Sequence, residues 1–254
     1  MRNLPSNREW IFWGQHDPLF AVATRRGKQA GGPAPWTPEE FFENGRRYFA
    51  DVVRQWQQYG AGADHCVEVG CGAGRITRQL ARHFCRVSAL DVSPAQLEIA
   101  RRLLGSEGDN IEFSLVDGPR FPLENASCDA VFSCEVFQHL DPASALGSTL
   151  VEAHRVLQPG GTVCFQVPLR GIQPASLLAS GPRNALLRLL RRLGRRRLMI
   201  YRQYRAAYVF RALADSGFGD IELRVFRAAE QPGFHCYFFG RKMQADFGAT
   251  AEIG

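Results

Sequence analysis

From His65 to Pro168, short β-branched or apolar runs alternate with stretches where apolar side chains recur every three or four positions. This is the pattern of βαβ units feeding a parallel sheet. Strands are predicted near 65–70, 86–91, 111–117, 129–135 and 162–168. Ile76, Leu80 and Phe84 share one helical face after the first strand, and Leu97, Ala100 and Leu104 share another after the second. Ser93-Pro94-Ala95-Gln96 supplies an N-cap, a first-turn proline and a capping-box glutamine, and Asp141-Pro142 predicts a third helix start. Upstream, Thr37-Pro38-Glu39-Glu40 opens a helix whose Phe41, Phe49, Val52 and Trp56 are set to pack on the sheet edge or over a ligand. Downstream, 204–216 reads as a helix stopped at Gly217. Strands near 221–226 and 235–241 then predict an antiparallel edge on an otherwise parallel sheet.

With 254 residues, 45% of them hydrophobic, the chain can build the core of one large α/β domain without covalent staples. Its seven cysteines (Cys66, Cys71, Cys85, Cys128, Cys134, Cys164 and Cys236) form no C-x-x-C pair. They read as reduced, mostly buried thiols with no metal site. Among the first 36 residues, Trp10, Phe12, Trp13, Phe20 and Trp36 are too many aromatics for a disordered tail. They predict a folded cover over a ligand or simple packing on the outside of the domain. Met1 to Pro5 lacks the apolar run of a secretion signal, and no stretch has the length of a membrane span, so a cytoplasmic protein is expected. The expected division is a cover over 1–60, a core over 61–168, an inserted segment over 169–202, and a closing helix and strands over 203–254.

Val67-Glu68-Val69-Gly70-Cys71-Gly72-Ala73-Gly74-Arg75 carries the strongest chemical signal. A strand runs directly into a glycine-rich turn and then a helix, so backbone N–H groups can lie against a ligand at the helix start. Asp91 ends the next strand 21 positions after Gly70, placed to accept hydrogen bonds from both hydroxyls of a ribose. A dinucleotide site would want G-x-G-x-x-G, and position 75 is arginine.

On these residues the chain resembles the class I S-adenosylmethionine-dependent methyltransferases of the Rossmann-like, bacterial type. The resemblance covers roughly 65–168 and extends more weakly through the terminal strands. Leu115-Val116-Asp117-Gly118 is similar to the family's third-strand motif, Phe121 to Val131 to the approach to strand four, and Leu157-Gln158-Pro159-Gly160-Gly161 to the turn before strand five. The resemblance implies a doubly wound seven-stranded sheet, mostly parallel, with an antiparallel C-terminal strand, an N-terminal helical cover and an inserted lid. It implies S-adenosylmethionine as cofactor and S-adenosylhomocysteine as product. Cofactor contacts then fall to Glu68 at the amino acid end, Gly70, Cys71, Gly72, Gly74 and Arg75 in the loop, Asp91 and Val92 at the ribose, Asp117 and Gly118 at the adenine, and Cys134 after strand four. Asp117 has an alternative role in capping the turn at Gly118.

The family places Ser133-Cys134-Glu135-Val136-Phe137-Gln138-His139-Leu140 between cofactor and acceptor. His139 is the candidate base by position, against a structural role near the sheet end. Glu135 either faces the sulfonium or is solvated. No Asn/Asp-Pro-Pro-Tyr/Phe run and no Pro-Cys pair occurs here, which disfavours nucleobase methylation. The expected acceptor is a hydroxyl of a sugar, glycan or other small molecule, with N-methylation, protein or RNA methylation and a non-catalytic cofactor-binding regulator as alternatives.

The net charge of +6 is uneven, because nine arginines fall between Arg183 and Arg205. Leu186, Leu190 and Leu193 lie on one helical face there, with Arg188, Arg191 and Arg192 around the other. Such a helix suits a lid over an anionic or lipid-linked acceptor, peripheral contact with an anionic membrane, or a solvated surface. Nucleic acid fits less well, since no aromatics interleave with basic residues elsewhere. Tyr201, Tyr204 and Tyr208 follow, to line a pocket or join the core.

Overall fold

The computed structural model describes residues 5–25, 27–140, 144–172, 201–227 and 234–244. Two N-terminal helices, α1 (Pro5–His16) and α2 (Pro18–Val22), precede the long α3 (Pro38–Tyr59). The capping box at the head of α3 is complete: Thr37 Oγ1 accepts from the Glu40 N–H while the Glu40 carboxylate accepts from the Thr37 N–H. There follow β1 (His65–Val69), α4 (Thr77–Leu80), β2 (Arg86–Asp91), α5 (Pro94–Leu104), β3 (Ile111–Leu115), β4 (Cys128–Ser133), α6 (Ala145–Val156), β5 (Leu157–Gln166), α7 (Ala206–Asp215), β6 (Phe218–Phe226) and β7 (His235–Lys242).

One seven-stranded sheet has the order β3-β2-β1-β4-β5-β7-β6. β1 to β5 pair in parallel, and β7 runs antiparallel to both β5 and β6. The order reverses between β1 and β4, and in an open α/β sheet the ligand crevice lies beyond the carboxyl ends of the strands at such a point. Successive residues of each strand face opposite sides. Val67, Val131, Val163 and Phe165 meet Leu146 and Leu150 of α6 and Val209 and Leu213 of α7. Cys66, Ala130, Phe132 and Phe239 meet Phe49, Val52 and Trp56 of α3 and Leu80 of α4. So α3 covers a sheet face, and the Trp56 indole N–H donates to Thr162 Oγ1 at 3.0 Å.

Three local expectations change. The Ile76, Leu80 and Phe84 face is buried, but the α-helix there is one turn long, because Arg82 and His83 bond back to Gln79 and Leu80 in tighter i→i+3 turns. Ser93 caps α5, yet Gln96 does not close a capping box: its side-chain N–H donates to the Pro18 carbonyl at 3.1 Å. The segment expected as a turn before strand five belongs to β5 itself, with a register shift against β4 and Gly160 at φ +83°. Asp141-Pro142 and Arg183 to Arg197 lie outside the described residues. All seven cysteines are free, and only Cys85 is exposed.

Candidate active site

The glycine turn leaves β1 at the carboxyl edge of the sheet. Gly70, Gly72 and Gly74 all take positive φ, at 79°, 53° and 85°, a region where a side chain strains the backbone. Space is also short: a Cβ on Gly70 would stand 2.3 Å from a Val136 methyl, and one on Gly72 2.4 Å from a Val22 methyl. The N–H groups of Gly70 and Cys71 both donate to the Leu90 carbonyl, at 2.8 and 3.0 Å, tying the turn to the end of β2.

Two carboxylates flank this turn. Glu68 is buried and accepts from Thr77 Oγ1 at 2.6 Å. Burial, outweighing that hydrogen bond, raises its pKa to about 7. Asp91 accepts from the N–H of Gly72 and of Ser93, both at 2.8 Å. With the Val92 backbone also acting on it, the carboxylate still keeps part of its roughly four acceptor positions open. Burial raises its pKa against these donors. Asp117 is exposed, and its backbone carbonyl accepts from the Asn7 side chain at 3.2 Å.

The N-terminal helices close on the same edge. Val22 meets Gly72, Gly14 lies so close to Ser93 that a Cβ would stand 2.3 Å from its Oγ, and Trp10 sets its ring edge-on to His139 with centroids 4.8 Å apart. Trp13 Nε1, on α1, and Gln96 Oε1, at the head of α5, are buried with no hydrogen-bond partner. Buried polar atoms are normally satisfied. The orphaned pair, the side-chain-free turn and the two carboxylates are what a polar, nucleoside-bearing ligand would need, and S-adenosylmethionine fits them.

Across the site, beyond β4, a second polar cluster forms from residues far apart in sequence. Glu135 has φ +58°, an uncommon conformation for a non-glycine residue. Its carboxylate accepts from Arg75 at 3.0 Å, and its N–H donates to Gln166 Oε1 at 3.2 Å. The buried Arg75 guanidinium also donates to Asn44 Oδ1 at 3.1 Å and lies over the Tyr48 ring. The Tyr48 and Tyr237 hydroxyls meet at 2.5 Å, and Cys134 Sγ lies 3.4 Å from each. Burial pushes the Cys134 thiol up to about 12, so it stays protonated near neutral pH and is no nucleophile. Next to this cluster, His235 is buried with neither ring nitrogen hydrogen-bonded.

Glu68, the three glycines and Asp91 thus meet on one edge, whereas Arg75 and Cys134 turn toward the second cluster. Reasoning from sequence overlooked Asn44, Tyr48, Gln166, His235 and Tyr237. The signal available was period two: His235 and Tyr237 share one face of β7, the face that meets α3. Tyr204 joins the core and donates its hydroxyl to the Phe137 carbonyl at 2.7 Å, Tyr208 stacks on it, and Tyr201 sets its ring 6.4 Å from that of His139.

Residues 67–165 match the family described as a methyltransferase domain. A malonyl-[acyl-carrier protein] O-methyltransferase of Serratia marcescens is 33% identical over 116 residues, 44% of this chain and 43% of that one. A ubiquinone biosynthesis O-methyltransferase of Thiobacillus denitrificans is 30% identical over 128 residues, 50% of this chain and 53% of the other. The match thus spans about half the length of these relatives. Among solved structures, the N-methyltransferase NodS of Bradyrhizobium japonicum in complex with S-adenosyl-L-homocysteine superposes with a TM-score of 0.60 at 17% identity, over 94% of this chain and 98% of that one. That likeness establishes a shared Rossmann-like fold, and the family match sets the resemblance to a methyltransferase domain on residues 67–165.

Proposed function

We propose that the chain is an S-adenosylmethionine-dependent methyltransferase acting on a hydroxyl group of a small-molecule, sugar or carrier-linked acceptor. The observation that carries this reading is the glycine turn held between buried Glu68 and Asp91, under a lid of α1 and α2 that leaves Trp13 Nε1 and Gln96 Oε1 unsatisfied. The O-methyltransferase relatives support oxygen over nitrogen as the atom modified.

In this reading Glu68 holds the amino group of the cofactor, Gly70 to Gly74 lie beneath it, Asp91 takes the ribose, and Asp117 with Gly118 borders the adenine. The cofactor supplies a methyl already activated on a sulfonium, so the protein needs chiefly to orient an acceptor and exclude water. Val22, Trp10 and the rest of α1 and α2 exclude water. Glu135, paired with Arg75, positions the acceptor side, and His139, edged by Trp10 and Tyr201, forms an aromatic wall there. The arginines from Arg183 to Arg205 then favour an acceptor bearing negative charge.

Calorimetric titration with S-adenosylmethionine and S-adenosylhomocysteine, beside Asp91→Ala, tests the cofactor site. Saturable binding that the variant weakens at least tenfold is expected. No binding by folded, ligand-free native protein removes the reading. Transfer of labelled methyl groups to panels of phenols, sugars and acyl-carrier-linked acids then ranks the acceptors.

A further inference from the structure

His235 opens β7, the reversed strand seated beside β5, and so lies at the carboxyl end of the parallel strands, where the crevice is. Its ring packs edge-on against Tyr48 of α3, with centroids 5.4 Å apart. Both ring nitrogens are buried and neither has a hydrogen-bond partner. A neutral imidazole has one donor and one acceptor to satisfy, and leaving both orphaned in the interior costs free energy that folding alone does not repay. Glu135, close enough to act on this ring electrostatically, is followed by Val136, whose methyl abuts Gly70 of the cofactor turn. The orphaned histidine therefore lies at the carboxyl edge of the sheet, beside the cluster of Arg75, Glu135 and Tyr48.

Resting on the methyltransferase reading, we propose that His235 is the general base of the acceptor site, for an acceptor hydroxyl that loses its proton as it is methylated. The acceptor oxygen forms its bond to the methyl carbon, the carbon–sulfur bond breaks with its electron pair going to sulfur, and the hydroxyl proton passes to an imidazole nitrogen. Imidazolium then releases the proton to solvent. Tyr48 from α3 packs on this ring, Glu135 after β4 and Arg75 after the glycine turn act on it electrostatically, and Tyr237 follows two positions on along the same face of β7. Tyr48 and Tyr237 are engaged with each other and with Cys134, and Glu135 is paired with the Arg75 cation, whereas His235 has no partner on either of its ring nitrogens. Burial holds it below the usual histidine range, with Arg75 acting in the same direction and Glu135 against it. It is therefore neutral, as a base must be, at neutral pH.

Histidine ring signals followed by NMR from pH 5 to 8, free and with saturating S-adenosylmethionine or S-adenosylhomocysteine, provide the test. The His235 signal is assigned by its absence in His235→Gln and, independently of how that variant folds, by its Overhauser contact to the Tyr48 ring. The two ligands differ at the sulfur, one cationic and one neutral. If His235 faces the reacting centre, the sulfonium form lowers its midpoint by about one pH unit relative to the neutral form, as a unit charge within roughly 10 Å does at an effective dielectric of about 20. Glu135→Gln lowers the midpoint further in both states. Binding of both ligands with coincident His235 midpoints overturns the assignment while leaving the methyltransferase reading intact. Failure of either ligand to bind in calorimetry overturns that reading, and this inference with it.

Discussion

The two sides of the crevice are built in opposite ways. On the side of β1 and β2, the polar groups around the glycine turn close on one another: Glu68 on Thr77, Asp91 on Gly72 and Ser93, and Gly70 and Cys71 on Leu90. On the side of β4, β5 and β7, an ion pair, a strained glutamate and an unsatisfied histidine are gathered from three separate segments. The first side is a preformed cradle for a ligand common to many enzymes. Both sides leave buried polarity unsatisfied, Trp13 Nε1 and Gln96 Oε1 above the first and the His235 ring on the second, but only the second assembles its polar groups from segments distant in sequence, and there we assign specificity and proton transfer.

The sharpest way to break this contrast is at the cradle. Gly70→Val would force a branched side chain into positive φ and against Val136, 2.3 Å from the Cβ position. Strain and overpacking together cost several kcal/mol. Cofactor affinity is expected to fall on the order of a hundredfold or more, read by calorimetry on protein whose circular dichroism is unchanged.

Next in size is Arg75→Met. Arg75 sits in the glycine motif, yet its guanidinium points at Asn44 and Glu135. Removing the charge leaves a half-buried carboxylate without its partner, worth about 2 kcal/mol in global stability, measured by urea unfolding. Cofactor affinity should change less than fivefold. A loss as large as that of Gly70→Val would place Arg75 back in the cradle and blur the two sides.

How much of each side was readable follows from the same difference. Glu68, the glycines and Asp91 lie within 24 consecutive positions, because a strand, a turn and a helix bring neighbours in sequence to one ligand. The capping box at Thr37 was equally legible, being written in four residues. His235, Tyr48 and Gln166 meet only because β7 inserts beside β5 and α3 crosses the sheet, and no local pattern encodes that. Gln96 shows the limit from another angle: a correct local motif, Ser-Pro-x-Gln, was overridden when Pro18 offered the side chain a better-placed carbonyl.

A pH dependence should separate the sides with a smaller effect. Glu68 has a folded pKa near 7 against about 4.3 in an unfolded chain. The native state therefore holds this proton more tightly, so stability without ligand is greatest at low pH and declines as pH rises from about 4.5 through 7. The cofactor's ammonium favours the ionised carboxylate, so affinity should rise about tenfold from pH 6 to 8. Calorimetry across that range should show the rise in native protein and its absence in Glu68→Gln, which keeps the Thr77 contact.

The smallest expected effect concerns what fastens α3 to the acceptor side. Tyr48 and Tyr237 share a short hydroxyl contact, with Cys134 Sγ completing a buried triangle. Burial raises both hydroxyls well above the usual tyrosine range, so they remain neutral donors and acceptors at any working pH. Tyr237→Phe leaves the Tyr48 hydroxyl only a weak sulfur partner, at a cost of about 1 kcal/mol. Tyr48→Phe should cost a similar amount. If the two act as one unit, the double variant loses less than the sum, because removing both hydroxyls leaves no orphan between them, and the coupling should be at least about 0.5 kcal/mol in urea titrations. Neither change should alter cofactor affinity, since the triangle touches none of the cradle. Strict additivity would mean that each hydroxyl is satisfied independently, and the cluster beside His235 would then be ordinary core rather than the floor of an acceptor site.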